Sequence, residues 1–213
     1  MNQTAELPPD PAIETDRRAG ERFTTLFQVA RVLTEDGTQR LCLIRNIGPG
    51  GLMLETYTPF EPGTRVRVEP KMCGSLTGTI CWAREKHAGI AFDQPIEVQE
   101  YLKSCTLPEG QVPRGPRVIT GRRGRLRVGP IWHLVNVIDL SQGGAKVETD
   151  LPVEMNAQVE LSIDRFTSLP GRVRWIRDER VGITFTSALP LADLAHWTAM
   201  LPPATSGAMP HAS

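Results

Sequence analysis

Hydrophobic and polar positions alternate along most of this chain, and they do so in short runs. Arg22–Leu33 is rich in Thr, Val and Phe, and Asp36-Gly37 then supplies a turn before a second run, Arg40–Asn46. Gly51–Thr56 and Arg65–Val68 are further short strands, split by Pro59, Pro62 and Gly63. Leu76–Arg84 and Ala88–Phe92 close the set as a hairpin around Glu85-Lys86-His87. The pattern then starts again: Arg125–Val128, a Gly129-Pro130 turn, Trp132–Ile138, Ala145–Glu148, Gln158–Ile163, Gly171–Ile176 and Val181–Thr186. Each series ends at helical rather than alternating spacing. Val98, Tyr101 and Leu102 mark a helix over Ile96–Ser104, and Leu191, Leu194 and Trp197 mark one over Pro190–Met200. Several short strands with close turns, then a helix, predict an antiparallel barrel or sandwich in each half.

The two halves are copies. Shifted by 93 positions, residues 46–92 lie over 139–185 without a gap and agree at 15 of 47 positions, where composition alone gives about three. A period of that size is a whole domain, too long for a solenoid repeat or a propeller blade. The sequence therefore divides into a first domain over 16–105, a linker over 106–113 and a second domain over 114–201. Residues 1–15 and 202–213 are polar, Pro-rich and aperiodic, and are expected to be disordered. The shared Trp82 and Trp175 read as core residues, and the shared Gly89 and Gly182 as turn glycines.

Composition narrows the function classes. Lys and Arg total 24 and Asp and Glu total 24, so the formal net charge is zero. Such a balance gives no long-range attraction to a nucleic-acid polymer. No apolar run is long enough for a transmembrane helix, and the N-terminus lacks the basic and apolar regions of a secretory signal, so a cytoplasmic protein without membrane insertion is expected. Cys42, Cys73, Cys81 and Cys105 form no C-x-x-C, and only His87 lies near the last three, which predicts buried thiols rather than a metal site or a disulfide framework. There is no phosphate-binding loop and no nucleophile elbow, and the four histidines are scattered, so an enzyme is not expected.

The zero net charge conceals an uneven distribution. Residues 1–16 carry Glu6, Asp10, Glu14 and Asp16 and no Lys or Arg; Arg17, Arg18 and Arg22 follow at once. A second, acid-free island holds Arg114, Arg117, Arg122, Arg123, Arg125 and Arg127. Arg presents a planar fork that grips phosphate and also lies flat on a base. Downstream of each island a strand runs into a glycine-rich turn: Asn46-Ile47-Gly48-Pro49-Gly50-Gly51 in one copy and Asp139-Leu140-Ser141-Gln142-Gly143-Gly144 in the other. An Asp or Asn there can accept from a base edge, a Ser can donate, and the glycines permit close approach to backbone.

This arrangement resembles the PilZ family of cyclic di-GMP receptors, whose signature is R-x-x-x-R followed some twenty to thirty residues later by [D/N]-x-S-x-x-G. The first copy shows Arg18-Ala19-Gly20-Glu21-Arg22 and Asn46; the second shows Asp139-x-Ser141-x-x-Gly144, with Arg117 22 residues before Asp139. The resemblance covers about 15–105 and 113–200. It implies an all-β fold with terminal helices: two tandem six-stranded antiparallel barrels, each followed by a short α-helix. Carried over residue by residue, it implies ligand-binding roles for Arg18, Arg22, Asn46 and Gly51 in copy one. In copy two it implies them for Arg114, Arg117, Asp139, Ser141 and Gly144. Two departures stand out. Gly48 replaces the signature Ser in copy one, and in copy two the Arg pair is Arg114-x-x-Arg117, one residue short, with Pro116 inside it.

The implied function is a receptor for cyclic di-GMP, with no catalytic cofactor, that transmits the second-messenger level to an unidentified protein effector in motility or biofilm control. The Arg segment would become ordered on the ligand and re-orient the two barrels. Homodimerisation is left open. The alternative is a degenerate tandem that binds no nucleotide and serves as a protein-interaction adaptor. A barrel that binds single-stranded nucleic acid is disfavoured by the zero net charge and the few aromatics.

Overall fold

In the computed structural model, which describes residues 24–105 and 115–203, the alternating runs become twelve strands in two closed six-stranded barrels. Barrel one comprises β1 (Thr24–Thr34), β2 (Gln39–Gly48), β3 (Gly51–Thr56), β4 (Arg65–Pro70), β5 (Leu76–Arg84) and β6 (His87–Phe92), followed by α1 (Val98–Ser104). Barrel two comprises β7 (Val118–Val128), β8 (Ile131–Ser141), β9 (Gly144–Glu148), β10 (Gln158–Ile163), β11 (Phe166–Arg177) and β12 (Arg180–Phe185), followed by α2 (Leu191–Thr198). Every pairing is antiparallel, and both barrels close in one order, β1-β2-β3-β6-β5-β4 and its equivalent β7-β8-β9-β12-β11-β10. Closure leaves no sheet edge to pair with another chain.

The cores follow from the period of two. Val32, Cys42, Ile44, Leu54, Val68, Ile80 and Ile90 fill barrel one, and Leu126, Val135, Val137, Val147, Leu161, Val173 and Ile183 fill barrel two. Turns sit where the sequence places them. Gly37 adopts φ 83° between β1 and β2, and Gly129 adopts φ 58° between β7 and β8, a left-handed conformation that only glycine enters without steric cost. The duplication extends to irregularities. A β-bulge interrupts β2 between Ile44 and Asn46 and β8 between Val137 and Asp139. Another interrupts β5 between Ile80 and Trp82 and β11 between Val173 and Trp175.

The β2–β3 turn anchors the chain leading to α1 through Ile96 N–H to Pro49 O (2.8 Å), and the β8–β9 turn repeats this with Leu189 N–H to Gln142 O (2.7 Å). No helix among the described residues is long and apolar enough to cross a membrane.

Four expectations are corrected. Strand β7 begins at Val118, seven residues before the expected Arg125, so Arg122 and Arg123 join Arg125 and Arg127 as strand residues. The shared tryptophans Trp82 and Trp175 are not core: Trp82 is 37% exposed and its indole lies outside the barrel across Gly89. A Cβ on Gly89 would lie 2.1 Å from Trp82 Nε1, and one on Gly182 would lie 2.0 Å from Trp175 Nε1. These glycines are therefore indole seats in mid-strand, not turn residues, because a bulge re-aims the residue it precedes. Finally, Cys73 and Cys105 form a disulfide, and Cys81 is exposed; only Cys42 is a buried thiol. The pairing comes from the fold, which brings the β4–β5 turn beside the end of α1, and a sequence separation of 32 gives no sign of it.

The barrels touch through the outer face of the β1–β2 ladder. Leu41, an outward residue of β2, is only 2% exposed because it packs into barrel two's apolar cluster. Helix α2 lies against β2, and the Tyr57 ring meets His196 edge-on. The side chain of Gln39 pairs with the start of β7 as a neighbouring strand would: its Nε2 donates to Ile119 O (3.0 Å) and its Oε1 accepts from Ile119 N–H (3.1 Å).

Candidate ligand site

Two of the expected residues of copy two, Arg117 and Asp139, meet. The bulge at Ile138 places Asp139 opposite both Ile119 of β7 and Lys146 of β9. Asp139 is buried, and each of its carboxylate oxygens is held by a cation: Oδ1 by Arg117 Nη1 at 2.7 Å and Oδ2 by Lys146 Nζ at 2.8 Å. Such pairing is what makes a carboxylate tolerable at low exposure. Arg117 is half-buried, and its own carbonyl accepts from Arg31 Nη1 of barrel one at 2.9 Å. Arg31 is in turn fixed by Glu69, with Nε and Nη2 at 2.9 and 2.5 Å from Oε2. A continuous polar chain thus runs from Glu69 through Arg31 and Arg117 to Asp139 and Lys146.

Ser141 and Gly144 have local tasks. The buried Ser141 hydroxyl donates to Gly144 O at 3.1 Å and closes the β8–β9 turn. Gly144 lies against β12, where a Cβ would stand 2.2 Å from Ile183 O; Gly51 in copy one has the same relation to Ile90 O, also 2.2 Å. Both glycines are therefore required by strand packing, independently of any ligand.

In copy one, Asn46 faces Met53, where copy two has Asp139 and Lys146. The position is uncharged and open. A surface groove of about 960 Å³ runs over it, lined by Asn46, Gly51, Met53, Trp82, Arg84 and His87 among others. The indole of Trp82 forms one wall and offers a flat aromatic face beside two nitrogenous side chains. The residues equivalent to Cys81, Arg84 and His87 in copy two are Arg174, Arg177 and Arg180, all exposed, so that copy presents a more basic surface around Trp175.

Arg18, Arg22 and Arg114 lie outside the described residues. Among those described, the structure brings Arg117 to Asp139 and places Asn46 and Gly51 on one groove. Sequence reasoning missed Lys146 and the two indoles. The signal for the indoles was present: Trp82/Gly89 and Trp175/Gly182 recur as pairs at the common offset of 93. Lys146 carried no signal, since its counterpart is Met53.

Comparison with known proteins agrees with the family expectation. The family model for the PilZ domain matches twice, over residues 16–106 and 111–201. No curated protein matches. Among solved structures, Borreliella burgdorferi PlzA in complex with c-di-GMP is 14% identical with a TM-score of 0.36, covering 85% of this chain and 94% of that one. The Bacillus subtilis inhibitor of motility MotI/DgrA is 13% identical at TM-score 0.34, covering 82% and 95%. Escherichia coli YcgR in complex with c-di-GMP is 13% identical at 0.33, covering 80% and 81%. Two family matches that together span most of the chain, over two barrels of one topology, establish that this protein belongs to the PilZ domain family and carries two tandem copies of that domain.

Proposed function

We propose that this protein is a cyclic di-GMP receptor that passes the ligand's presence to a protein partner through the junction between its barrels. The carrying observation is the position of Arg117. Its side chain lies on Asp139, its carbonyl is held by Arg31 of the other barrel, and its neighbour Ile119 is held by Gln39. A ligand that recruits the Arg117 guanidinium perturbs a residue on which the interbarrel contact depends. Guanine offers O6 and N7 as paired acceptors to such a fork, and two phosphates supply charge for the remaining arginines. In copy one, Asn46 supplies a neutral hydrogen-bonding edge and Trp82 a stacking face on the same groove.

Isothermal calorimetry on the wild type and on Arg22→Ala and Arg117→Ala tests this. Loss of a charge-assisted contact of roughly 1.5–3 kcal/mol weakens a site by roughly tenfold to a hundredfold. Unchanged affinity in both variants refutes the proposal.

One observation favours the adaptor reading instead. Both Asp139 oxygens and the Ser141 hydroxyl already have protein partners, so a ligand must displace Arg117 or Lys146 to reach the carboxylate. A folded wild-type chain that gives no binding heat with cyclic di-GMP would select that reading.

A further inference from the structure

The interbarrel interface is head-to-tail: the outer β1–β2 face of barrel one meets the strand start and helix of barrel two. Because the chain is a duplication, barrel two carries the topologically equivalent face, on its β7–β8 ladder, with its own side chains. Residues Gln39, Leu41 and Tyr57 correspond to Trp132, Leu134 and Asp150 at the offset of 93. Strand register pairs Arg31 with Leu41 and, equivalently, Arg125 with Leu134. Leu41 is 2% exposed and Leu134 is 72% exposed, with Ile131 and Trp132 beside it also open to solvent. Arg125 and Arg127 each stand 5.7 Å from the Trp132 ring centroid. A recess of about 350 Å³, lined in part by Leu134, Glu148, Asp150 and Glu179, opens next to this apolar group.

We propose that this second donor face docks barrel one of another copy of the same chain, repeating between molecules the contact that the two barrels make within one. The proposal stands independently of ligand binding. The partner is argued from continuity with the existing interface and from charge. Within the chain, the Tyr57 ring meets His196 of α2 edge-on. The residue equivalent to His196 in α1 is Lys103, and the residue equivalent to Tyr57 is Asp150; both are exposed. The intermolecular repeat therefore sets Asp150 of one copy against Lys103 of the next, an attractive pair where the intramolecular contact is aromatic. Identical Leu and Arg residues at 41/134 and 31/125 supply the same apolar and basic elements. A head-to-tail contact of this kind leaves one donor and one acceptor face open, and so extends into a chain of molecules or closes into a ring.

Sedimentation velocity across a micromolar concentration series tests it, using the full-length protein. Wild type is expected to self-associate with increasing concentration, and Leu134→Glu to remain monomeric. Asp150→Lys and Lys103→Asp, each setting like charges together, are expected to weaken association by roughly tenfold or more. An equimolar mixture of those two variants is expected to recover it, because each then meets an opposite charge on the other. Both charge-reversal sites are exposed, so the folds survive even if Leu134→Glu proves unstable. A wild type that stays monomeric throughout the series overturns the proposal, as does a mixture that associates no better than either variant alone.

Discussion

Copy two holds Asp139 opposite Lys146 where copy one holds Asn46 opposite Met53, and this difference can be transplanted. At 2.8 Å and an effective dielectric near 20, the Asp139–Lys146 attraction is about 6 kcal/mol before desolvation. Lys146 keeps 28% of its side-chain surface and Asp139 only 8%, so the desolvation cost falls mainly on the carboxylate. A pair intermediate between exposed and buried is expected to retain a net coupling of ~1–2 kcal/mol. Asp139→Asn alone leaves Lys146 and Arg117 facing a neutral amide and should destabilise barrel two by ~1–3 kcal/mol. Lys146→Met alone leaves Arg117 on the carboxylate and should cost less. The double variant recreates the neutral pair of copy one and should be more stable than the sum of the singles by the coupling energy. Urea unfolding followed by tryptophan fluorescence suits the measurement, since Trp132 and Trp175 lie in barrel two and Trp197 in the helix that follows it. The transitions of the two barrels are to be fitted separately if they do not coincide. Additivity of the two substitutions within about 0.5 kcal/mol would refute the pairing.

Gly89→Ala should push the Trp82 indole off its seat, lowering stability by ~1–3 kcal/mol and red-shifting fluorescence; an unchanged spectrum and stability would contradict the seat. Thiol titration under non-reducing conditions should find Cys81 reactive in the native protein and Cys42 only after unfolding, because burial pushes the Cys42 thiol up to about 12. The same shift has a pH consequence. The folded state binds the Cys42 proton more tightly than the unfolded state, whose thiol has the ordinary value of 9.0, so stability should decline as pH rises above 9 towards 12. At the acid end, the Thr34 hydroxyl and the Thr38 backbone N–H hold the Asp36 carboxyl below its ordinary value of 3.8. The resulting stabilisation is complete above that value and is lost as pH falls through the folded pKa; acid titration of Asp36→Ala should show a shallower loss than wild type.

The barrels were largely legible because their information is local and repeated. Gly51–Thr56, Leu76–Arg84 and Gln158–Ile163 emerge with the residues expected from alternation alone, since inward and outward positions differ in hydrophobicity. The seven residues at the start of β7 did not, because Val118–Gly124 contains two glycines and two arginines and its outward side chains are solvated. Trp82 and Trp175 were misplaced for a physical reason: a large aromatic on an alternating strand reads as core unless a bulge is known to turn it outward. The Cys73–Cys105 bridge depends on where α1 docks, which no spacing encodes. Within the site, Arg117 and Asp139 were legible from motif and spacing. Lys146 and the Arg31 and Gln39 contacts to β7 were not, because they arise from register across the β8–β9 ladder and from contact between barrels.

The central claim is that Arg117 belongs at once to a cyclic di-GMP site and to the interbarrel contact. Calorimetric titration of the full-length chain with cyclic di-GMP, repeated on Arg117→Ala and on Gln39→Ala, addresses both halves. The account predicts saturable binding by the wild type, a loss of at least about tenfold in Arg117→Ala, and an altered affinity in Gln39→Ala although Gln39 lies in barrel one and outside the site. Wild-type affinity in both variants would contradict it.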